Sequence, residues 1–236
     1  DHFANGWTSY RHRLDTMTYD VTDALQSGDN KLDALLGTGW YAGNLGFRGQ
    51  RKFYGTHPEL LLQLEITYPD GRTETVVSDG DWLGTLDGRI ISSSIYNGET
   101  YDARKEPSNW RAVVANSDLG SAELVPKPFA PVRATQMLAV QAITEPEPGR
   151  FVFDLGQNMV GWAKLNIPVE KDQTTTIRFA EMLNTNGTMY TANYRSAKST
   201  NFYTAAETGT VEWEPTFTFH GFRYVELSGL PAGVKP

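Results

Sequence analysis

The stretch Leu60-Leu61-Leu62-Gln63-Leu64-Glu65-Ile66-Thr67-Tyr68-Pro69-Asp70-Gly71-Arg72-Thr73-Glu74-Thr75-Val76-Val77 decides the fold class. Its first part is apolar and alternates toward the end, the period-2 pattern of a strand with one face turned inward. Pro69-Asp70-Gly71 reverses the chain, because proline presets φ and glycine accepts the positive φ that other side chains avoid. Thr73 to Val77 runs back, so the segment predicts a β-hairpin. The same style continues: strands are predicted over 161–167, 174–179, 212–219 and 224–227, with a turn at Asn184-Thr185-Asn186-Gly187. One short helical turn is expected at Val21 to Gln26, capped by Asp20 or Thr22 and stopped by Ser27-Gly28-Asp29-Asn30. No long amphipathic helix is predicted. The fold class read from the sequence is all-β, built as sandwiches or jelly rolls.

Working outward, Val125-Pro126-Lys127-Pro128-Phe129-Ala130-Pro131 holds three prolines and reads as an extended linker. It predicts a first module over residues 1–126 and a second over 132–236. The chain opens on Asp1-His2-Phe3-Ala4-Asn5-Gly6-Trp7, which reads as a loop, so the first module is expected to lack its opening strands and to expose strand edges. A length of 236 residues is enough for two such modules. The net charge of −7 comes with no basic run, so no nucleic-acid partner is expected. No apolar run is long enough to span a bilayer, and no membrane partner is expected. The absence of cysteine excludes disulfides, thiolate zinc sites and a cysteine nucleophile. The compartment is not fixed by this composition; the reading leans to periplasmic or secreted over cytoplasmic.

The residue types able to carry chemistry are few in kind. His2, His12, His57 and His220 show no metal-motif spacing, and His220, set among aromatics in 217–224, reads as a hydrogen-bonded structural residue. No nucleophile elbow, phosphate loop or dinucleotide fingerprint is present. A glycosidase needs two carboxyls flanking the scissile bond. The most suggestive are Glu99 and Asp102 in Tyr96-Asn97-Gly98-Glu99-Thr100-Tyr101-Asp102-Ala103-Arg104, expected as a polar-aromatic loop. With Arg104 they form either a sugar or cation site, a contact with a neighbouring domain, or a buried acid–Arg pair. A second candidate for inter-domain or active-site-rim contact is the segment 193–198. Asn5, Asp29 and Asn97 are oxygen donors of the kind Ca²⁺ takes. Trp7, Trp40, Tyr41 and Tyr54 offer faces to a sugar ring, or belong to the core or a domain interface.

Two sets of motifs go beyond generic strand patterning. The first runs through Gly6-Trp7-Thr8-Ser9-Tyr10, Tyr19-Asp20-Val21-Thr22-Asp23-Ala24-Leu25, Gly37-Thr38-Gly39-Trp40-Tyr41-Ala42-Gly43, Tyr54-Gly55, the stretch 95–104 and Trp110. The second runs through Phe153-Asp154-Leu155-Gly156-Gln157-Asn158-Met159-Val160-Gly161-Trp162, the stretches 178–183, 187–190 and 193–197, and Phe217-Thr218-Phe219-His220-Gly221-Phe222-Arg223-Tyr224-Val225. Together they resemble the N-terminal β-sandwich modules of bacterial α-L-rhamnosidases of glycoside hydrolase family 78, in family order and over nearly the whole chain. The resemblance implies a parent enzyme that removes terminal non-reducing α-L-rhamnose with inversion, its carboxylates residing in a downstream helical (α/α)₆ barrel. It implies that this chain is a non-catalytic accessory region whose partners are that barrel and rhamnose-containing glycans, and that no catalytic residue falls on this sequence.

The first module is similar to a galactose-binding-like jelly roll that, in some relatives, acts as a family 67 carbohydrate-binding module gripping rhamnose through Ca²⁺. Carried over by position, Asn5 and Pro58 would be metal donors. Ala4 stands where the family pattern has Asp, and Lys52-Phe53 stands where an Asn is expected. Losing a carboxylate and an amide oxygen weakens a hard-cation site severely. A Ca²⁺-dependent L-rhamnose-binding module is therefore the alternative expectation. The substrate-facing candidates are Asn5, Trp40, Tyr41, Glu99, Asp102 and Arg104.

Overall fold

A computed structural model describes residues 2–46, 49–116, 118 and 120–236. Asp1, placed by the sequence in the opening loop, lies outside the described residues. Among the described residues the first half carries eight short strands: β1 (Arg13–Thr16), β2 (Gln63–Thr67), β3 (Thr73–Val77), β4 (Leu83–Gly84), β5 (Ile90–Ser94), β6 (Gly98–Asp102), β7 (Arg111–Ala112) and β8 (Glu123–Pro126). The second half carries β9 (Ala142–Glu147), β10 (Arg150–Gly161), β11 (Leu165–Val169), β12 (Thr174–Ala180), β13 (Met182–Leu183), β14 (Met189–Tyr190), β15 (Thr200–Thr204), β16 (Gly209–Trp213) and β17 (His220–Ser228). Helix is confined, among the described residues, to α1 (Gly39–Ala42) and two 3₁₀ turns at Thr22–Ala24 and Ala192–Tyr194. The chain is all-β, as its patterning predicts.

The hairpin that set the fold class forms with Gln63 opposite Val77 and Thr67 opposite Thr73. Gly71 sits at φ 85°, the Gly71 N–H donates to Tyr68 O, and Asp70 Oδ1 accepts from the Arg72 N–H, so each turn residue supplies what its type offers. The expected helical turn shrinks to Thr22–Ala24, where Asp20 Oδ1 accepts from the Thr22 N–H at 3.0 Å.

The second half is organised by one seven-stranded sheet in the order β5-β6-β15-β12-β17-β10-β9. In β12, Thr175, Ile177 and Phe179 turn inward and are buried, while Thr174, Thr176 and Arg178 face the other way. Strands β11 and β16 form a second layer: Leu165, Ile167, Val169 and Trp213 alternate inward and join Ile177, Phe179, Phe222, Val225 and Leu227 in one apolar core. On the opposite face of the large sheet, Val152, Ala180 and Met189 make a small second cluster beneath β13 and β14.

Four expectations need correcting. The predicted strand over 161–167 is two elements, because β10 ends at Gly161 in the large sheet and the chain crosses to the other layer before β11 begins. The predicted strand over 212–219 stops at Trp213, where Pro215, which has no N–H for a ladder, follows. Trp40 and Tyr41 lie on the single turn of α1, which strand patterning did not foresee. Glu99 and Asp102 do not sit in a loop: they lie on β6, which pairs in parallel with β15, Thr100 opposite Phe202 and Asp102 opposite Thr204.

That last pairing means the large sheet crosses the proline-rich stretch on which the sequence division rests. Strands β5 and β6, both N-terminal to that stretch, belong to the sheet of the second half, while β8 closes in parallel on β1.

Candidate functional site

Among the described residues Glu99 is the most deeply buried carboxylate, at 1% exposure, and it pairs with no arginine. Its oxygens accept the backbone N–H groups of Thr216 at 3.1 Å and Phe217 at 3.1 Å, in the irregular segment just before β17. Burial pushes its carboxyl up, and the two amides pull it partly back. The Glu99 N–H itself donates to Asn201 Oδ1 at 2.9 Å. Glu99 thus pins β6 to the entry of β17 and is shielded from solvent.

Asp102 is engaged differently. Arg104 holds it through Nε to Oδ1 at 2.8 Å and Nη2 to Oδ2 at 2.8 Å, with the Arg104 N–H adding a third bond at 3.1 Å. The Arg104 guanidinium keeps the Asp102 carboxyl below the usual range. The same guanidinium also reaches Asp172 Oδ1 at 2.9 Å. The three candidates Glu99, Asp102 and Arg104 are close along β6, but they serve two separate contacts rather than one site.

Beside Glu99 lies a polar cluster that sequence reading found only in part. His220, Ser199 and Asn201 are all buried. Ser199 Oγ lies 3.1 Å from His220 Nδ1, and His220 Nε2 lies 3.4 Å from Asn201 Oδ1. The Asn201 oxygen already accepts the Glu99 amide, so the imidazole carries its proton on Nε2 and accepts from Ser199 at Nδ1. His220 stacks on Phe179 with ring centroids 4.1 Å apart. Burial drives its pKa down from 6.5 to about 4. The arrangement brings Ser, His and Asn together but closes them off from solvent, so it orients strands rather than attacking a substrate.

The carried-over Ca²⁺ and sugar donors lie in the first half. Asn5 is exposed, with φ 69° and its N–H 3.4 Å from Met17 Sδ. Pro58 is half-buried. Tyr41 joins an aromatic cluster: Tyr10 packs edge-on against Tyr41 at 5.5 Å and against Tyr54 at 4.8 Å, and Trp7 Nε1 reaches Tyr54 OH at 3.3 Å. Burial, with Tyr54 and Asp15 nearby, pushes the Tyr10 hydroxyl up to about 12. Among the described residues no group of three or more His, Asp or Glu is placed to hold a metal ion. With Ala4 in place of a carboxylate, the carried-over pair Asn5 and Pro58 supplies fewer than the six to eight oxygens a hard cation takes. Asn97 is committed elsewhere, its Oδ1 facing the Lys198 N–H at 3.4 Å.

Two motifs of the second set, 153–162 and 217–225, meet each other. Strand β10, from the first, lies beside β17, from the second, with a bulge between Asp154 and Met159. Arg223 grips Asp154 in bidentate fashion, Nε to Oδ1 and Nη2 to Oδ2, both at 2.8 Å, and Asp154 Oδ1 also accepts the Gly156 N–H within the bulge. These motifs encode a strand pairing and its irregularity.

Both halves of the chain match known proteins. A family model for the α-L-rhamnosidase N-terminal domain matches residues 1–144, and one for the bacterial α-L-rhamnosidase concanavalin-like domain matches residues 144–236. The chain is similar to an α-L-rhamnosidase of Streptomyces avermitilis, 46% identical over 98% of this chain and 23% of the relative. It is also similar to one of Formosa agariphila, 44% identical over 98% of this chain and 26% of the relative. Among solved structures, the Streptomyces avermitilis α-L-rhamnosidase complexed with L-rhamnose superposes with a TM-score of 0.93 at 45% identity, covering 100% of this chain and 24% of that one. The native enzyme from Aspergillus terreus superposes with a TM-score of 0.86 at 34% identity, covering 100% of this chain and 28% of that one. The chain spans about a quarter of the length of the curated relatives it matches.

Proposed function

The chain belongs to the bacterial α-L-rhamnosidase family, and from that premise we propose that it is a non-catalytic accessory region of an enzyme that hydrolyses terminal non-reducing α-L-rhamnose from glycosides with inversion. The observation that carries this reading is the fate of the two candidate carboxylates. A glycosidase needs two carboxyls facing each other across a cleft that admits sugar and, for inversion, water. Glu99 is buried against backbone amides and Asp102 is held by Arg104. The partner of these modules is the catalytic (α/α)₆ region of the same polypeptide, and their role is to buttress it.

The test is an aryl α-L-rhamnoside assay of this chain beside the full-length Streptomyces avermitilis relative. No turnover by the chain is expected; hydrolysis at a rate comparable to the relative ends the reading. Calorimetry with L-rhamnose, with and without Ca²⁺, separates a binding module from a scaffold. Heat that requires Ca²⁺ would replace the scaffold reading with sugar binding.

A further inference from the structure

The outer face of the large sheet carries a feature that the accessory role leaves unused. Because Ile177 and Phe179 point into the core, Arg178 between them points out, and it lies in register with Thr200 on β15. The segment that follows β14 folds over this spot. Arg178 Nη2 donates to Thr191 Oγ1 at 3.0 Å. The segment is fixed on its far side as well: Glu181 accepts from Asn193 Nδ2 at 2.8 Å, and Tyr194 OH donates to Gly221 O at 2.9 Å. Arg195 is held at φ 55°, a left-handed conformation that a long side chain adopts only when its surroundings impose it.

The result is a cavity of about 370 Å³. Among the described residues, the cations Arg178, Arg195 and Lys198 line it, together with the hydroxyls of Thr191, Ser196 and Thr200 and the ring of Phe202; Arg195 and Ser196 each already hold a contact of their own. None of its described lining residues is acidic, in a chain where 28 Asp and Glu outnumber 21 Lys and Arg. The nearest acid in sheet register is Glu226, opposite Arg178 on β17; it is buried and accepts from Arg150 Nη1 at 3.1 Å. Cations converging on a concave wall focus a positive potential there.

We propose that this pocket binds the carboxylate of an acidic sugar. The volume falls in the range of small-ligand sites. Cations answer a carboxylate through charge-assisted bonds, hydroxyls answer ring hydroxyls, and Phe202 offers an apolar wall to a sugar's C–H face. A bare inorganic anion would use only the first of these. The inference stands on this chain's own residues and does not depend on the accessory reading.

The experiment is titration calorimetry of the whole chain with sodium D-glucuronate, D-glucose and sodium sulfate at matched ionic strength. Glucuronate is expected to bind about tenfold or more tightly than either control. Lys198→Gln, on an exposed segment, is expected to weaken it about tenfold, the loss of one charge-assisted contact. Arg178→Gln is expected to do the same, its melting temperature being followed alongside. Glucose or sulfate binding as tightly as glucuronate, or an unchanged affinity in Lys198→Gln, overturns the proposal.

Discussion

Among the described residues between β1 and β8, every strand pair except β5 with β6 stands as an isolated two-stranded ribbon, and the buried apolar core there reduces to Ala42. From Phe151 to Leu227 the same strand chemistry yields a two-layer core with Ile177, Phe179 and Phe222 fully enclosed. Apolar content is not the difference, since the first half leaves Leu86, Val114 and Leu61 largely exposed. What separates the halves is lateral association. A two-stranded ribbon has no second layer to bury its apolar face against, whereas a seven-stranded sheet with β11 and β16 across from it does. A strand pattern therefore specifies a face, and the sheet decides whether the face is covered.

The sharpest test is a matched pair of truncations. Phe179→Ala is expected to cost about 3–5 kcal/mol, the range for a buried aromatic whose cavity cannot collapse. Leu64→Ala on β2, only half-buried, is expected to cost less than about 1 kcal/mol. Urea midpoints of the two variants measure both, and equal losses would break the contrast between the halves.

A second pair uses glycines that share a positive φ and differ in surroundings. Gly98 opens β6 at φ 99°, and a Cβ there would lie 2.0 Å from the Thr200 backbone oxygen, which cannot move aside without breaking the β6–β15 ladder. Gly71 turns the hairpin at φ 85° with nothing within 4 Å. Gly98→Ala is expected to cost about 3 kcal/mol or more, from overpacking added to strain, and Gly71→Ala about 1–2 kcal/mol from strain alone. Thermal unfolding separates them. Similar shifts would mean that β6 is not tied into the second half.

The acid limb of the stability curve probes the same join. His220 has a native pKa of about 4 against 6.5 in the unfolded chain. Its neutral form is favoured by folding, so its contribution is whole above pH 6.5 and is lost as pH falls toward 4, by on the order of 3 kcal/mol. Glu99, with its carboxyl pushed up, acts in the opposite sense, since the folded chain takes up that proton more readily than the unfolded one. The net loss on acidification is therefore smaller than His220 alone would give. Urea titrations at stepped pH should show His220→Gln flattening this limb. An unchanged slope would mean that the imidazole titrates in the native state much as it does in the unfolded chain.

Which of these features could be read in advance follows from the distance over which each is specified. The hairpin at 60–77 was legible because Pro69, Asp70 and Gly71 act on their own neighbours, and β12 was legible because its alternation is local. The insertion of β5 and β6 into the far sheet was not, since Thr100 meets Phe202 across about a hundred residues with no local signature. The site divides along the same line. Asp102 and Arg104 are two residues apart and their pairing was among the readings. Glu99 depends on the amides of Thr216 and Phe217, and the cationic pocket draws Arg178 and Lys198 from separate elements, so neither had a spacing to betray it. The most specific part of the family resemblance lies in β10 and β17, whose pairing through Asp154 and Arg223 requires both motifs at once.

The smallest expected effect concerns how the graft is latched at its edge. Arg104 joins Asp102, at the end of β6, to Asp172 in the turn before β12. The Asp172 contact is exposed on both sides, 44% and 59%, so water and salt screen it, and Asp172→Asn is expected to cost no more than about 0.5 kcal/mol. Asp102 is far less exposed and receives three donors from Arg104, so Asp102→Asn should cost more, about 1–2 kcal/mol. Melting temperatures at low salt and at about 0.5 M salt decide the matter, because at the higher value the screening length is only a few ångströms and an exposed pair fades while a partly buried one persists. If Asp172→Asn proves the costlier change, charge across the turn holds β6 in place. If the order is as expected, the backbone ladder to β15 holds it and the outer ion pair is incidental to the join between the halves.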